Sequence, residues 1–175
     1  VLIAGPAVVK RALGINISKE ELGGPDVHLK SGTVDNLAEN EEDALNQIKT
    51  FLSYLPDNYK NLPPKINSMD KKNRIENELI NIIPKDRRKT YNIRKVLSLI
   101  LDSNSFFEYG KYYGSGLITG LARLNGEAVG VLANDCMIYA GAMTAEASMK
   151  LRKFVDFVNT FSIPVISFVD EPGFM

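Results

Sequence analysis

The sequence contains one cysteine, one histidine, no excess of either charge and no long apolar run. Cys136 alone excludes an internal disulfide framework. His28 alone excludes a zinc site built from several histidines, and no Ser-His-Asp or Cys-His spacing surrounds it. Lys plus Arg and Asp plus Glu number 21 each, so no global field draws nucleic acid or an anionic membrane. No apolar stretch approaches the ~18 residues of a spanning helix. The glycines form neither GxxxxGK nor GxGxxG, so no standard phosphate loop is indicated. A chain of 175 residues can bury one sizeable core or two small ones, and the expected class is a soluble intracellular α/β or α+β protein.

The best-specified stretch is the last third. LITGLARL and EAVGVLAND flank Asn125-Gly126, a pair that tolerates the left-handed backbone of a tight primed turn. Residues 117–124 and 128–133 are expected to pair antiparallel. Ala147, Leu151, Phe154, Val155, Val158 and Phe161 then recur at helical spacing over 145–161, with Lys150, Arg152, Lys153 and Asp156 largely elsewhere on the wheel. Thr144 is the expected N-cap and Glu146 suits the positive end of the helix. A short strand, apolar on both sides, is expected over 164–169.

The earlier chain reads as short helices. Pro6 opens one over 7–13, and Ser18 with Glu21 forms a capping-box signature before Gly23-Gly24-Pro25. Residues 23–32 read as a loop. Asn40 and Asp43 suggest a cap for a helix carrying Ala44, Leu45, Ile48, Phe51, Leu52 and Leu55, ended by Pro56. Residues 56–68 are turn-rich, 70–83 is a further helix, and Asn92 caps one bearing Ile93, Val96, Leu97, Ile100 and Leu101. Residues 1–4 read as the end of a strand or a buried segment. Residues 85–95 form the one basic segment, either a solvated linker or a contact for phosphates or an acidic partner. Residues 105–116, SFFEYGKYYGSG, are either a ligand-facing aromatic surface or core and interface packing. Cys136 is expected to be a packing or loop residue, because no base is placed beside it.

The chain opens without methionine on VLIAGPAVVK and stops two residues after Pro172-Gly173. Natural termini are more often polar and mobile, so interior sequence of a longer protein is expected.

GPAVVKRALG (5–14), EELGGPDVH (20–28), Ser31-Gly32, LSYLP (52–56), IIPKDRRKTYNIRKVL (82–97), FFEY, ITGLARLNGEAVGVLAND (118–135), AGAMTAEASMKLRKFV (140–155) and IPVISFVDEPGFM (163–175) occur in an order that resembles the carboxyltransferase (beta) subunit of biotin-dependent acyl-CoA carboxylases and the similar alpha subunit of biotin-dependent decarboxylases. The resemblance implies an α/β crotonase-like superhelix of strand-strand-helix units, in two domains. Residues 1–88 would be the C-terminal part of the acyl-CoA-binding domain, and 89–175 the N-terminal half of the biotin-binding domain. It implies transfer of a carboxyl group between N1 of biotin and the α-carbon of an acyl-CoA of the propionyl, acetyl or methylcrotonyl class, or the decarboxylase counterpart acting on methylmalonyl- or glutaconyl-CoA.

Such chemistry needs no side-chain nucleophile, because backbone N–H pairs stabilise charge on the thioester and ureido oxygens. By the resemblance, the amides of Gly141 or Ala142 lie near the ureido oxygen, and Met143, Pro172, Gly173 and Phe174 line the carboxybiotin pocket. A pocket-lining role is favoured over a metal site for Asp170-Glu171, since adjacent carboxylates on a strand point apart. The implied cofactors are biotin on a partner protein or domain and a coenzyme A thioester as substrate. The implied partners are a biotin carboxyl carrier protein or domain, a biotin carboxylase component and further copies of the parent in a homo-oligomer. The implied compartment is cytoplasm, or mitochondrial matrix or plastid for a eukaryotic source. Both further glycine pairs of the family lie outside this sequence, so the fragment alone is expected to be inactive. A structural or interaction fragment is the competing reading. It would be favoured by internally bonded amides at 141–142, whereas a catalytic wall would leave them free.

Overall fold

The computed structural model of the chain describes residues 4–71, 73–86 and 88–175. The strand end expected at 1–4 falls outside that set except for Ala4, as does Arg87 of the basic segment. Short helices come first: α1 (Pro6–Leu13), α2 (Lys19–Gly23), α3 (Pro25–Lys30), α4 (Glu41–Leu52), α5 (Leu79–Ile82) and α6 (Ile93–Ile100). Strands β1 (Phe107–Tyr109), β2 (Leu117–Leu124) and β3 (Glu127–Asn134) follow, then helix α7 (Ala145–Thr160) and strand β4 (Val165–Phe168).

The four strands form one sheet in the order β1-β2-β3-β4. β1, β2 and β3 pair antiparallel, whereas β3 and β4 pair parallel across α7. The fold is therefore mixed α/β, and β2-β3-α7 is one strand-strand-helix unit. The expected hairpin forms with Leu124 opposite Glu127, and both Asn125 and Gly126 adopt positive φ, at 52° and 80°. The Asp102 carboxylate accepts from both turn amides, Asn125 N at 2.9 Å and Gly126 N at 2.7 Å. Donors that a tight turn leaves unpaired are thereby satisfied.

The sheet is covered on both faces. Ile93, Val96, Leu97 and Leu101 of the α6 region pack with Ile118, Ala122, Val129, Val131 and Ala133 on one face. On the other, Phe154, Val158 and Ile163 pack with Tyr54, Leu121 and Ala128, and α4 adds Phe51. Arg123 joins the layers: its guanidinium donates to the carbonyls of Ser53, Pro64 and Gly126 at 2.7–2.9 Å and lies 5.0 Å from the Tyr54 ring centroid. The turn-rich segment 56–68 is thus anchored to the hairpin. Among the described residues before 89, only Leu29 and Tyr54 are buried apolar side chains. No helix among the described residues is long and apolar enough to cross a membrane.

Several expectations need correction. Residues 25–30 are helical, because Pro25 at the first turn and Asp26 beside the helix start outweigh the flanking glycines. Among the described residues of 70–83, only α5 is helical; Arg74 instead turns back to the α6 end, donating to the carbonyls of Leu99 and Leu101. Residues 107–109 are a strand, stabilised by pairing with β2. β4 is only half buried, with Val165 exposed.

The buried stripe of α7 is Ala147, Lys150, Phe154 and Val158, so Lys150 lies on the core side and Val155 on the exposed side. Its Nζ donates to Leu117 O at 2.6 Å, and the residue is 4% exposed. Burial pulls the Lys150 ammonium down to about 8, opposed by the charges of Glu108 and Asp35.

Because the folded value lies below that of the unfolded chain, the cost of the buried charge is fully present below pH 8 and is relieved above it, where the unfolded chain binds the extra proton. The stability of the wild type relative to Lys150→Met is therefore expected to rise by about 2–3 kcal/mol between pH 8 and ~10. Urea unfolding of both proteins across that range measures it, and a constant difference would contradict the assignment.

Candidate functional site

Three chain segments meet where β3 and β4 end. The parallel pairing brings the carboxyl ends of β3 and β4 to one edge, together with the N-terminus of α7. Ligand sites in α/β sheets form characteristically at such edges. Segment 135–143 leaves β3 and segment 169–175 leaves β4. They pair through a parallel bridge between Met143 and Phe174, with Met143 N donating to Gly173 O at 2.9 Å and Met175 N donating to Met143 O at 3.0 Å. The structure thus brings together the two groups of residues singled out in the sequence.

The first segment contains an unusual turn. Tyr139, Ala140 and Gly141 have φ of 50°, 53° and 84°, three successive left-handed residues of which only the last is glycine. A left-handed L-residue costs roughly 1–2 kcal/mol, so the turn persists because its surroundings hold it. Gly141 is required for space as well: a Cβ there would lie 2.5 Å from Asp170 O.

The amides of Gly141 and Ala142 are engaged. Gly141 N donates to Ile138 O at 2.9 Å and Ala142 N to Tyr139 O at 3.0 Å. The expectation of free donors at Gly141 and Ala142 is therefore not met here, because the tight turn closes its own hydrogen bonds. Among the described residues, the N–H groups of Ala145 and Glu146 have no acceptor within the chain, as helix geometry requires of the first turn. Thr144 caps the next donor, accepting from Ala147 N at 3.2 Å.

The side chains differ in what they present. Gly141, Ala142 and Met143 are buried, whereas Pro172 is exposed and Phe174 is 84% exposed. Beneath the wall, the Asn134 carboxamide contacts both segments: Nδ2 donates to Gly141 O at 3.3 Å and Oδ1 accepts from Asp170 N at 3.1 Å. Arg94 braces the start of the loop with a fork on Glu108, at 2.9 and 2.6 Å, and a third bond to Asp135 at 2.7 Å. Asp135 in turn accepts from Met137 N at 3.1 Å. These supports were not foreseen from the sequence. Asn134 and Asp135 sit within a quoted motif, but no local spacing shows that they join distant segments.

A cleft of about 340 Å³ adjoins the wall, lined by Ile83, Pro84, Arg88, Lys89 and Tyr91 on one side and by Cys136, Ala140 and Asp170 on the other. The basic segment thus faces the candidate wall. Tyr91 donates from its hydroxyl to Asp170 at 2.9 Å; burial and the Asp170 carboxylate raise its pKa, so it remains a donor. The Cys136 thiol exchanges contacts of 3.4 Å with Tyr91 N and O, a packing role. Among the described residues no group of three His, Cys, Asp or Glu side chains could hold a metal ion. Of the aromatic residues at 105–116, Phe107 and Tyr109 pack against Phe51 of α4 at ring-centroid separations of 6.2 and 6.4 Å.

The strained turn separates two effects of glycine. Ala140→Gly is expected to change stability by less than ~0.5 kcal/mol or to raise it, because release of left-handed strain offsets the added freedom of the unfolded chain. Ala147→Gly, within α7, is expected to cost about 1 kcal/mol or more. Gly141→Ala combines a steric conflict with strain and is expected to cost at least ~2 kcal/mol. Chemical denaturation of the three variants distinguishes these outcomes.

Three comparisons bear on this geometry. The profile described as "Carboxyl transferase domain" matches residues 1–175. The carboxyltransferase subunit of propionyl-CoA carboxylase from Haloferax mediterranei is 40% identical over 174 residues, covering 99% of this chain and 34% of that protein. The alpha subunit of methylmalonyl-CoA decarboxylase from Veillonella parvula is 34% identical with the same coverage of each. The crystal structure of transcarboxylase 12S, a hexamer assembly with methylmalonyl-coenzyme A and methylmalonic acid bound, superposes with a TM-score of 0.93 at 35% identity, covering 99% of this chain and 34% of that one. The chain therefore spans about a third of the length of these relatives. With a match over its whole length and a shared α/β architecture, the chain belongs to the carboxyl transferase domain family.

Proposed function

We propose that this chain forms the biotin-side wall of a carboxyltransferase that moves a carboxyl group between N1 of biotin and the α-carbon of an acyl-CoA. The observation that carries the reading is the Met143–Phe174 bridge, which joins the glycine turn and the Pro-Gly loop at the carboxyl ends of β3 and β4. Similarity to both a carboxylase and a decarboxylase subunit supports the shared transfer chemistry over either direction. The propionyl, acetyl and methylcrotonyl thioesters are the substrate class for the carboxylase direction, with methylmalonyl- or glutaconyl-CoA for the decarboxylase direction.

The residues present suit biotin in one specific way. Phe174 and Pro172 expose apolar surface beside Met143, which fits the face of a fused ring carried on a flexible arm. Biotin, when bound, supplies the nitrogen that carries the carboxyl group. This chain supplies the wall: Gly141 and Ala142 shape the turn, Met143 and Gly173 fix its distance from the loop, and Ala145 and Glu146 offer the nearby free amides. Residues 1–88 belong, on this reading, to the acyl-CoA-binding domain and 89–175 to the biotin-binding domain. The partners are then a biotin carboxyl carrier protein or domain, a biotin carboxylase component and further copies of the parent protein, in the cytoplasm, matrix or plastid.

One observation favours a second reading. The amides of Gly141 and Ala142 are bonded internally, as a structural or interaction fragment that binds neither biotin nor CoA would have them.

Carboxyl transfer assayed with the intact protein carrying this chain, carboxybiotin donor and the named acyl-CoA thioesters decides between them. Transfer is expected, with Phe174→Ala raising the KM for the biotin donor about ten-fold and leaving that for acyl-CoA within two-fold. Residues 1–175 alone are expected to transfer nothing. Absence of transfer by the intact protein with every thioester would leave the structural reading.

A further inference from the structure

Asn134 is the last residue of β3 and is 5% exposed. The direction of its carboxamide follows from its neighbours. Asp170 N–H can only donate, so the atom 3.1 Å from it is Oδ1. The carbonyl of Gly141 can only accept, so the atom 3.3 Å from it is Nδ2. The second hydrogen of Nδ2 faces Glu171 Oε2 at 3.5 Å. One side chain thus spans from the turn after β3 to the loop after β4.

We propose that Asn134 is a positioning residue that sets the spacing between the Tyr139–Gly141 turn and the Asp170–Phe174 loop, and through it the shape of the wall. The catalytic consequence rests on the carboxyl-transfer reading given above. The turn bonds mainly within itself, through Gly141 N and Ala142 N, and those bonds do not fix its place against the loop. Among the described residues the Met143 bridge and the Asn134 carboxamide tie the two segments directly, and Tyr91 ties Cys136 to Asp170 from outside.

The chemistry of position 134 is narrow. Serine is too short to reach both partners, and glutamine adds a methylene in a buried space. Aspartate has the right shape but replaces the donor by an anion. That anion would face the Gly141 carbonyl and Glu171, with Asp170 and Asp135 nearby in the chain. Of the cations nearby, Arg94 holds Glu108 and Asp135, Lys150 on α7 holds Leu117 O, on the β2 residue directly across from Asn134, and Arg88 holds Asp86, while Lys89 lines the cleft beside Asp170. Tyr91 approaches from the other side but donates to Asp170. A protonated aspartic acid would regain a donor, so the substitution carries a pH signature that simple loss of packing lacks.

The test uses the intact protein with Asn134→Asp, Asn134→Leu and the double variant Asn134→Asp/Glu171→Gln. Hydrogen-exchange protection at pH 8 in the segments 139–143 and 168–175 is expected to fall about ten-fold or more in both single variants, while β2 and the middle of α7 keep theirs. For carboxyl transfer, kcat is expected to drop at least about ten-fold with the acyl-CoA KM within two-fold of wild type, as misplacement by a fraction of an ångström permits. Asn134→Asp should recover protection and kcat, relative to wild type at the same pH, as pH falls toward ~5. Glu171→Gln should recover part of both at pH 8, and Asn134→Leu should show no such recovery. Unchanged protection in Asn134→Asp overturns the proposal, as does loosened protection with kcat unchanged. Wild-type protein that transfers no carboxyl group refutes the reading of the wall, and the exchange data then still decide whether Asn134 sets the spacing.

Discussion

Parallel strands cannot be joined by a tight turn, and the rest of this molecule depends on that constraint. To run β4 in the same direction as β3, the chain must return the full length of the sheet. Helix α7 makes that return: its 16 residues span about 24 Å, close to the ~26 Å of the eight-residue β3. The consequence is positional. The end of β3, the start of α7 and the end of β4 fall at one edge, and an isolated parallel bridge between Met143 and Phe174 ties together the two loops that leave the strands. The candidate wall is thus two loops tied to each other rather than two independent loops.

Charged groups placed inside this frame serve position more than stability. Arg94 contacts Glu108 and Asp135, whose side chains are largely buried. Such a network gains little over well-packed apolar groups, yet removing one member leaves the others unpaired at a cost of about 3–5 kcal/mol. The asymmetry specifies geometry, because any arrangement that separates α6 from β1 or from the loop after β3 carries that penalty. Arg123 acts similarly for the hairpin, where three backbone carbonyls from separate segments converge on one guanidinium. Asp102 and Asn134 extend the pattern to single polar side chains that each close two distant backbone contacts.

What could be read from the sequence follows the range of the interactions involved. The hairpin, the capping box at Ser18, the caps at Asn40, Asn92 and Thr144 and the body of α7 rest on residues within a few positions of one another, and the structure contains them. β1 is not legible locally, because its three residues become a strand only by pairing with β2. Wheel patterns treat lysine as solvent-facing, whereas the long stem of Lys150 carries its amine to the carbonyl of Leu117 at the start of β2. The residues of the wall were legible through ordered motifs, but their supports were not. Asn134 meets partners 7 and 36 positions away, and Arg94 meets Asp135 41 positions away.

The wall also constrains how charge can be stabilised beside it. A donor is useful to a developing oxyanion when it is preorganised and unengaged, since breaking an existing hydrogen bond during reaction offsets the gain. The Gly141 and Ala142 amides do not meet that condition, being closed on Ile138 and Tyr139. The strain of the turn therefore serves a different end. Three left-handed residues reverse the chain sharply enough for Gly141 to pass beneath Asp170 O, where any Cβ would collide. That close passage lets Asn134 reach both segments, and Phe174 stands exposed beyond it. Carboxyl transfer beside this wall would then take shape and an aromatic face from the turn and loop. The Gly141 and Ala142 amides would then not be the donors to the charge, whereas the first amides of α7 carry no acceptor among the described residues.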